Sequence, residues 1–286
     1  MKIGIDSYCY HRYFGEVYEG IEKPPKYRMS LEDFLEKAIE LEVDGVSLET
    51  CFIQSFDESY LKKIKEILDE GNLEAVVAWG HPNGLEGGKN KEAIKDMEKH
   101  FKTCEILEVD TLRMVGSSLS FKHEPHLPQI KRISGLLNNS VKKAEDKGIK
   151  IAIENHFDFK TDEILMIVNN LDSKNFGVTF DTGNCLRYGE DPVESAKKLS
   201  KHIFATHTKD VEPLYGGNPQ DWYYYACTPL GKGIINIPGV VEVLEKQNYQ
   251  GLIAVEIDYM SPKYGDDTDK AVAESIDFLK KLKKKF

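Results

Sequence analysis

At 286 residues the chain can bury a large core, so it needs neither disulfides nor a structural metal to stay folded. Its 38 basic and 48 acidic side chains leave a net charge of −10, which disfavours a polyanionic partner and so argues against nucleic-acid binding. Hydrophobic residues at 41% and charged residues at 30% describe an ordinary globular protein without a membrane-length apolar run, and the five cysteines (Cys9, Cys51, Cys104, Cys185, Cys227) contain no C-x-x-C pair; together with the absence of a signal-peptide core after Met1, this predicts a reduced, cytoplasmic protein.

Read in chain order, eight short apolar runs predict strands at Lys2–Ser7, Gly45–Glu49, Glu74–Trp79, Thr111–Val115, Lys150–Glu154, Gly177–Asp181, Ile203–His207 and Leu252–Ile257. The Ile-Ala-Ile run at 151–153 lacks polar alternation, as a strand buried on both faces should. Between the strands, apolar residues recur three and four apart, as in Leu31, Phe34, Leu35, Ala38 and Ile39, or Leu61, Ile64, Ile67 and Leu68, which predicts amphipathic helices. Eight βα units with no linker or shift in composition predict one α/β domain over residues 1–286, a (β/α)8 TIM barrel. A doubly wound sheet usually has a glycine-rich turn after its first strand, and Ile5-Asp6-Ser7-Tyr8 offers none. Two long loops should shape or cover a pocket: residues 8–29, rich in tyrosine, and residues 210–232, which hold Trp222 and three tyrosines from Tyr223. The lysine run from Lys280 to Lys285 closes the last helix, where cations suit the helix dipole.

Polar residues gather where the predicted strands end: Glu49, His81, Arg113, Glu154, Asp181, His207 with Lys209, and Glu256. In a barrel these ends share one face, where active sites are built. Glu154, Asp181 and Glu256 would converge on one axis, and like unit charges about 4 Å apart repel by roughly 4 kcal/mol at an effective dielectric near 20. Either their pKa values rise or a cation neutralises them. With His207 added, the set offers three oxygen donors and one nitrogen, which suits one divalent ion, Mn²⁺, Co²⁺, Mg²⁺ or Zn²⁺; ligand type alone does not choose among these, and Mn²⁺ is the one expected. Glu49, His81, Arg113 (free for a substrate or paired with Glu49), Lys209 and Trp222 are expected to contact substrate, the indole as a sugar-stacking platform.

The segments Ile151-Ala-Ile-Glu-Asn-His156, Phe180-Asp-Thr-Gly-Asn184, Thr206-His-Thr-Lys-Asp210, Pro229-Leu-Gly-Lys-Gly233 and Val255-Glu256 resemble the xylose-isomerase-like barrels. That superfamily contains sugar (phosphate) isomerases, ketose 3-epimerases, inosose dehydratases and the metal-binding subunit of C-glycoside deglycosidases. The resemblance implies that Glu154, Asp181, His207 and Glu256 hold the metal, that Glu154 and Glu256 also move protons on opposite faces of the substrate, and that His156 serves as an acid or base. Asn184 replaces a histidine that the epimerases carry, Lys160 replaces a glutamate, and Lys209 and Pro213 stand where an arginine is usual. These departures argue against a strict ketose 3-epimerase and lean toward the dehydratase and deglycosidase branches.

The expected function is therefore a metal-dependent isomerase or epimerase acting on a sugar or keto-sugar by proton abstraction next to a carbonyl. The alternative is a lyase or dehydratase, or a deglycosidase subunit, acting on inososes or 3-keto-glycosides. An endonuclease of the same superfamily or a non-catalytic sugar-binding protein ranks lower, since eight histidines and the −10 charge suit nucleic acid poorly and binding alone needs no metal set. The expected partners are a small sugar-like substrate and, for the aromatic loop, a second copy or a small partner subunit, with no membrane contact.

Overall fold

The computed structural model describes residues 1–285. In chain order its strands are β1 (Lys2–Asp6), β2 (Gly45–Glu49), β3 (Glu74–Ala78), β4 (Thr111–Met114), β5 (Lys150–Glu154), β6 (Phe176–Asp181), β7 (Ile203–His207), β8 (Asp210–Pro213), β9 (Tyr225–Thr228) and β10 (Leu252–Val255). β8 and β9 pair as a separate antiparallel hairpin. The other eight form one parallel sheet in the order β10-β1-β2-β3-β4-β5-β6-β7.

The ring closes between β7 and β10 through two threonines. The Thr208 N–H donates to Ala254 O at 2.7 Å, and the Glu256 N–H donates to Thr208 O at 3.1 Å. The Thr206 hydroxyl donates to Leu252 O at 2.9 Å and accepts from the Ala254 N–H at 3.1 Å, so a side chain serves where the regular ladder is interrupted. Helices connect successive strands on the outside, making a single-domain (β/α)8 TIM barrel. Their starts follow local chemistry: at the helix Leu31–Glu40, Ser30 Oγ accepts the Asp33 N–H (3.1 Å) while the Asp33 carboxylate accepts the Ser30 N–H (2.8 Å). The last helix, Thr268–Lys283, carries Lys280, Lys281 and Lys283 in its final turn, as expected from the dipole. No helix among the described residues is long and apolar enough to cross a membrane.

The main core lies between strands and helices, whereas Val76, Ala205, Leu252 and Ala254 form a smaller cluster inside the barrel. Gly45 leaves room for this filling, since a Cβ there would overlap Glu74 O and crowd the Leu252 methyls. Side chains alternate in and out along a strand with a period of two. Ala205 and Ala254 point inward, so His207 and Glu256, two residues on, also face the axis just above them.

Seven of the eight barrel strands coincide with the sequence expectation to within one residue or better at each end; the expected Leu252–Ile257 overshoots by two because the chain leaves the sheet after Val255. Within residues 8–29 lie short helices at Ser7–Tyr10 and His11–Phe14, and within 210–232 lies the β8–β9 hairpin, neither of which hydrophobic periodicity predicts.

Candidate metal centre and substrate cavity

The two-residue alternation that fills the barrel also aims its top layer. Asp6, Glu49, Glu154, Asp181, His207 and Glu256 end or follow their strands, Arg113 stands one residue before the end of β4, and all are buried. Ligand atoms of Glu154, Asp181 and His207 lie within 4.8 Å of one another. Glu256 joins them through its Oε2, 2.9 Å from His207 Nδ1, while Glu154 Oε2 is 3.3 Å from the same nitrogen.

Asparagines hold these carboxylates in place. Asn155 donates to Asp181 O at 2.8 Å, and its own amide oxygen accepts the Asp181 N–H at 2.8 Å, locking the tops of β5 and β6 together. Asn184 donates its N–H to Asp181 Oδ1 (2.9 Å) and its side-chain amide to Glu154 Oε1 (3.2 Å), so it fixes two candidate ligands at once. Thr182 Oγ1 donates to Lys209 O (2.6 Å) and accepts the Lys209 N–H (2.8 Å), tying β6 to β7. The Asp-Thr-Gly-Asn run is thus a scaffold for the centre.

Two internal cations, Arg113 and Lys209, share the negative charge that the sequence assigns to an ion alone. Arg113 Nε donates to Glu154 Oε2 at 2.5 Å, its Nη2 contacts the same oxygen, and its Nη1 is 3.4 Å from Glu49 Oε1. The expected choice between substrate and Glu49 resolves in favour of carboxylates, chiefly Glu154. Lys209 Nζ lies 3.1 Å from Asp181 Oδ2, 3.3 Å from Glu256 Oε1 and 3.1 Å from Asp258 Oδ2. Burial opposes charge on Glu154, but Arg113 and His207 hold its carboxyl well below the usual range. Burial pushes Asp181 up to about 7 against the pull of Lys209, and Glu49 up to about 8 against Arg113. Burial also disfavours an imidazolium at His207, yet Glu256 and Glu154 raise its pKa well above the ordinary value.

Even so, Asp181 Oδ2, His207 Nδ1 and Glu256 Oε2 are buried and make no hydrogen bond. Unpaired buried polar atoms are rare and call for a partner. Three such atoms converging from three strands, two oxygens and one imidazole nitrogen, fit a divalent ion. With Glu154, they are the residues that could hold it.

Beside this floor opens a cavity of about 350 Å³ lined by Glu49, His81, Arg113, His156, Lys209, Trp222 and Glu256, among others. All five expected substrate contacts therefore border it. His156 is half-buried; its Nδ1 makes no hydrogen bond, and burial pushes its pKa down to about 3, so it is neutral. His81 stacks on Trp79 at 5.0 Å between ring centroids. Trp222 meets Tyr18 edge-on at 4.4 Å, so the two long loops touch over the cavity. Arg187 donates to the Trp222 carbonyl and lies over the Phe157 ring at 4.1 Å.

The sequence reading does not single out Tyr8, Glu16 and Tyr18, which line the cavity, nor Asp6 beside His207 and Arg187 beside Trp222, which do not. Asp6 had a readable signal, an acidic residue two places beyond Gly4 on the barrel-facing side of β1. Tyr8, Glu16 and Tyr18 lie in the loop 8–29 expected to shape or cover a pocket, but which of its residues do so, and that Arg187 bonds to Trp222, is decided only by tertiary folding.

A family model described as xylose isomerase-like TIM barrel matches residues 35–282. The chain is 27% identical over 251 residues to inosose dehydratase of Clostridium beijerinckii, covering 77% of this chain and 78% of that protein. It is 32% identical over 160 residues to an uncharacterized protein of Methanocaldococcus jannaschii, a match spanning 50% of this chain and about half (51%) of that protein. The fold is shared with D-psicose 3-epimerase solved in the presence of D-fructose, at a TM-score of 0.75 and 15% identity over 99% of each chain.

Proposed function

The chain belongs to the xylose isomerase-like TIM barrel family, and from that membership and the geometry of its strand ends we propose a divalent-metal-dependent enzyme that removes a proton next to the carbonyl of a polyhydroxylated ketone. The observation that carries this reading is the convergence of Asp181 Oδ2, His207 Nδ1 and Glu256 Oε2, buried and without hydrogen bonds, beside a cavity that Glu256 lines. A bound divalent ion would supply Lewis acidity, polarising a carbonyl oxygen and making the neighbouring C–H easier to ionise.

The chain's own residues do the rest. Glu154 and Glu256, both beside His207 Nδ1, would be the carboxylates that take or return a proton at the reacting carbon. His156, which lines the cavity, would serve as an acid or base once substrate is bound. Glu49 is held largely protonated by burial and can donate a hydrogen bond to a substrate oxygen. Trp222 and Tyr18 cover the cavity and keep water from the carbanion.

Of the outcomes open to that carbanion, we favour elimination. The C–H bond breaks, a C=C bond forms, and the substituent on the next carbon leaves with a proton, as water from an inosose-like ring. Support comes from the inosose dehydratase relative, and from Asn184 and Lys160 in place of the side chains that mark a ketose epimerase. The second reading, isomerisation or epimerisation of a free ketose or keto-sugar, is favoured by the paired carboxylates, which suit removal and return of one proton. Incubation in D₂O with Mn²⁺ separates them. Elimination releases water and an unsaturated or rearranged ketone, whereas isomerisation conserves composition and incorporates deuterium. Inertness toward both inososes and ketoses under Mn²⁺ would sink the proposal.

A further inference from the structure

Asp6 ends β1 with its side chain 0% exposed and has no part in the chemistry above. Its two oxygens face different groups. Oδ1 accepts the backbone N–H of Tyr8 at 2.6 Å. Oδ2 makes no hydrogen bond and stands 3.2 Å from His207 Nε2. The other ring nitrogen, Nδ1, faces Glu154 and Glu256 at 3.3 and 2.9 Å. The imidazole is held between Asp6 on one edge and the candidate ligands on the other.

We propose that Asp6 is the positioning residue of this centre: its Oδ2 accepts a hydrogen bond from the His207 Nε2–H, holding the proton on that nitrogen and so keeping the Nδ1 lone pair directed toward Glu154, Asp181 and Glu256. This rests on the metal reading above and adds to it the group that orients the ring. A histidine that ligates through one nitrogen carries its proton on the other, and a carboxylate there fixes both tautomer and orientation.

The bond from Tyr8 makes the substitution Asp6→Asn directional. With the Tyr8 N–H claiming one position, the asparagine turns its carbonyl oxygen to Tyr8 and its NH₂ to His207 Nε2. Donor then meets donor. The ring either loses the contact or shifts its proton to Nδ1, which points where the ion belongs. Shape and volume are preserved, so the barrel should fold. A rival use of the same atoms exists, because Asp6, Glu49 and His207 also bring ligand atoms within 4.8 Å and could take a second cation. The sharing of His207 between the two groups favours the hydrogen-bonded arrangement, which leaves each ring nitrogen one partner class.

The experiment is calorimetric titration of Mn²⁺ into metal-stripped wild type and Asp6→Asn, with NMR of ¹⁵N-histidine-labelled wild type loaded with Zn²⁺. Expected are a single Mn²⁺ per wild-type chain, affinity weakened by about 10–100-fold in Asp6→Asn, an unchanged melting temperature for the metal-free variant, and a His207 proton on Nε2. Equal affinity in the two proteins overturns the proposal. So do two ions per wild-type chain with one lost in Asp6→Asn, which would make Asp6 a ligand. Should Asp6→Asn fail to fold, the wild-type spectrum decides, and a His207 without an Nε2 proton overturns the proposal. A wild type that takes up no ion at all instead fells the metal reading on which it rests.

Discussion

Single side chains set the chemistry at the top of the barrel. Asp181 contributes an oxygen without a hydrogen bond, and its backbone carbonyl and Oδ1 accept from Asn155 and Asn184, which aim it. Asp181→Ala should lose the bound ion, with elemental analysis after Mn²⁺ reconstitution falling from near one equivalent to background. Asn184→Ala leaves every candidate ligand present and keeps the backbone bond to Asp181, but frees Glu154 to move, and metal affinity should drop by about 10–100-fold. Full affinity in that variant would mean the carboxylates hold their own geometry. Glu154→Gln and Glu256→Gln should each reduce turnover by about 10²–10⁴-fold, measured at matched metal occupancy. Much at this scale is legible in the sequence, because strand-end acids and imidazoles stand out against apolar runs. What escapes it is pairing. Nothing in the order of residues says that Arg113 commits to Glu154, or that Lys209 bridges Asp181, Glu256 and Asp258.

Strands and loops decide where those side chains meet. The eight barrel strands are readable since each is an apolar run ending in turn residues. The β8–β9 hairpin is not, because Asp210–Pro213 and Tyr225–Thr228 are too short and polar to show a period. A single carboxylate anchors it. Asp210 accepts the N–H groups of Val211, Gly231, Gly233 and Ile235 at 2.9–3.0 Å. Glycine is required at 233, where a Cβ would overlap Asp210 Oδ1 and Val211 O. Asp210→Ala should strand these donors and cost roughly 2–4 kcal/mol, lowering the melting temperature by about 5–10 °C. A thermal shift smaller than the scatter between repeats would show that the loop is held by other contacts. The neighbouring tip carries Trp222, whose contact with Tyr18 closes the cavity. Trp222→Ala should raise KM with little change in kcat, the pattern for lost uniform binding. A fall in kcat alone would place the indole at the reacting atoms instead.

On the scale of the whole molecule, a parallel barrel gathers residues from across the chain, Asp6 to Glu256, onto one face. This is why fold class and the broad site could be read together, and why the reaction's outcome could not. The barrel aligns strand ends, but the loops that select substrate are placed by packing. A cation that binds only the folded state should stabilise it by about 2.7 kcal/mol at a hundredfold excess over Kd. Calorimetry with and without Mn²⁺ reads that directly, and an unchanged transition would contradict a site in the folded barrel. The central claim is metal-dependent proton abstraction from a polyhydroxylated ketone. It is tested most directly by incubating an inosose in D₂O with Mn²⁺-loaded and with chelator-stripped protein, followed by mass spectrometry and NMR. The account predicts loss of water and of the hydrogen next to the carbonyl with the loaded protein alone. Equal reaction by the stripped protein, or a substrate returned unchanged and unlabelled by both, would contradict it.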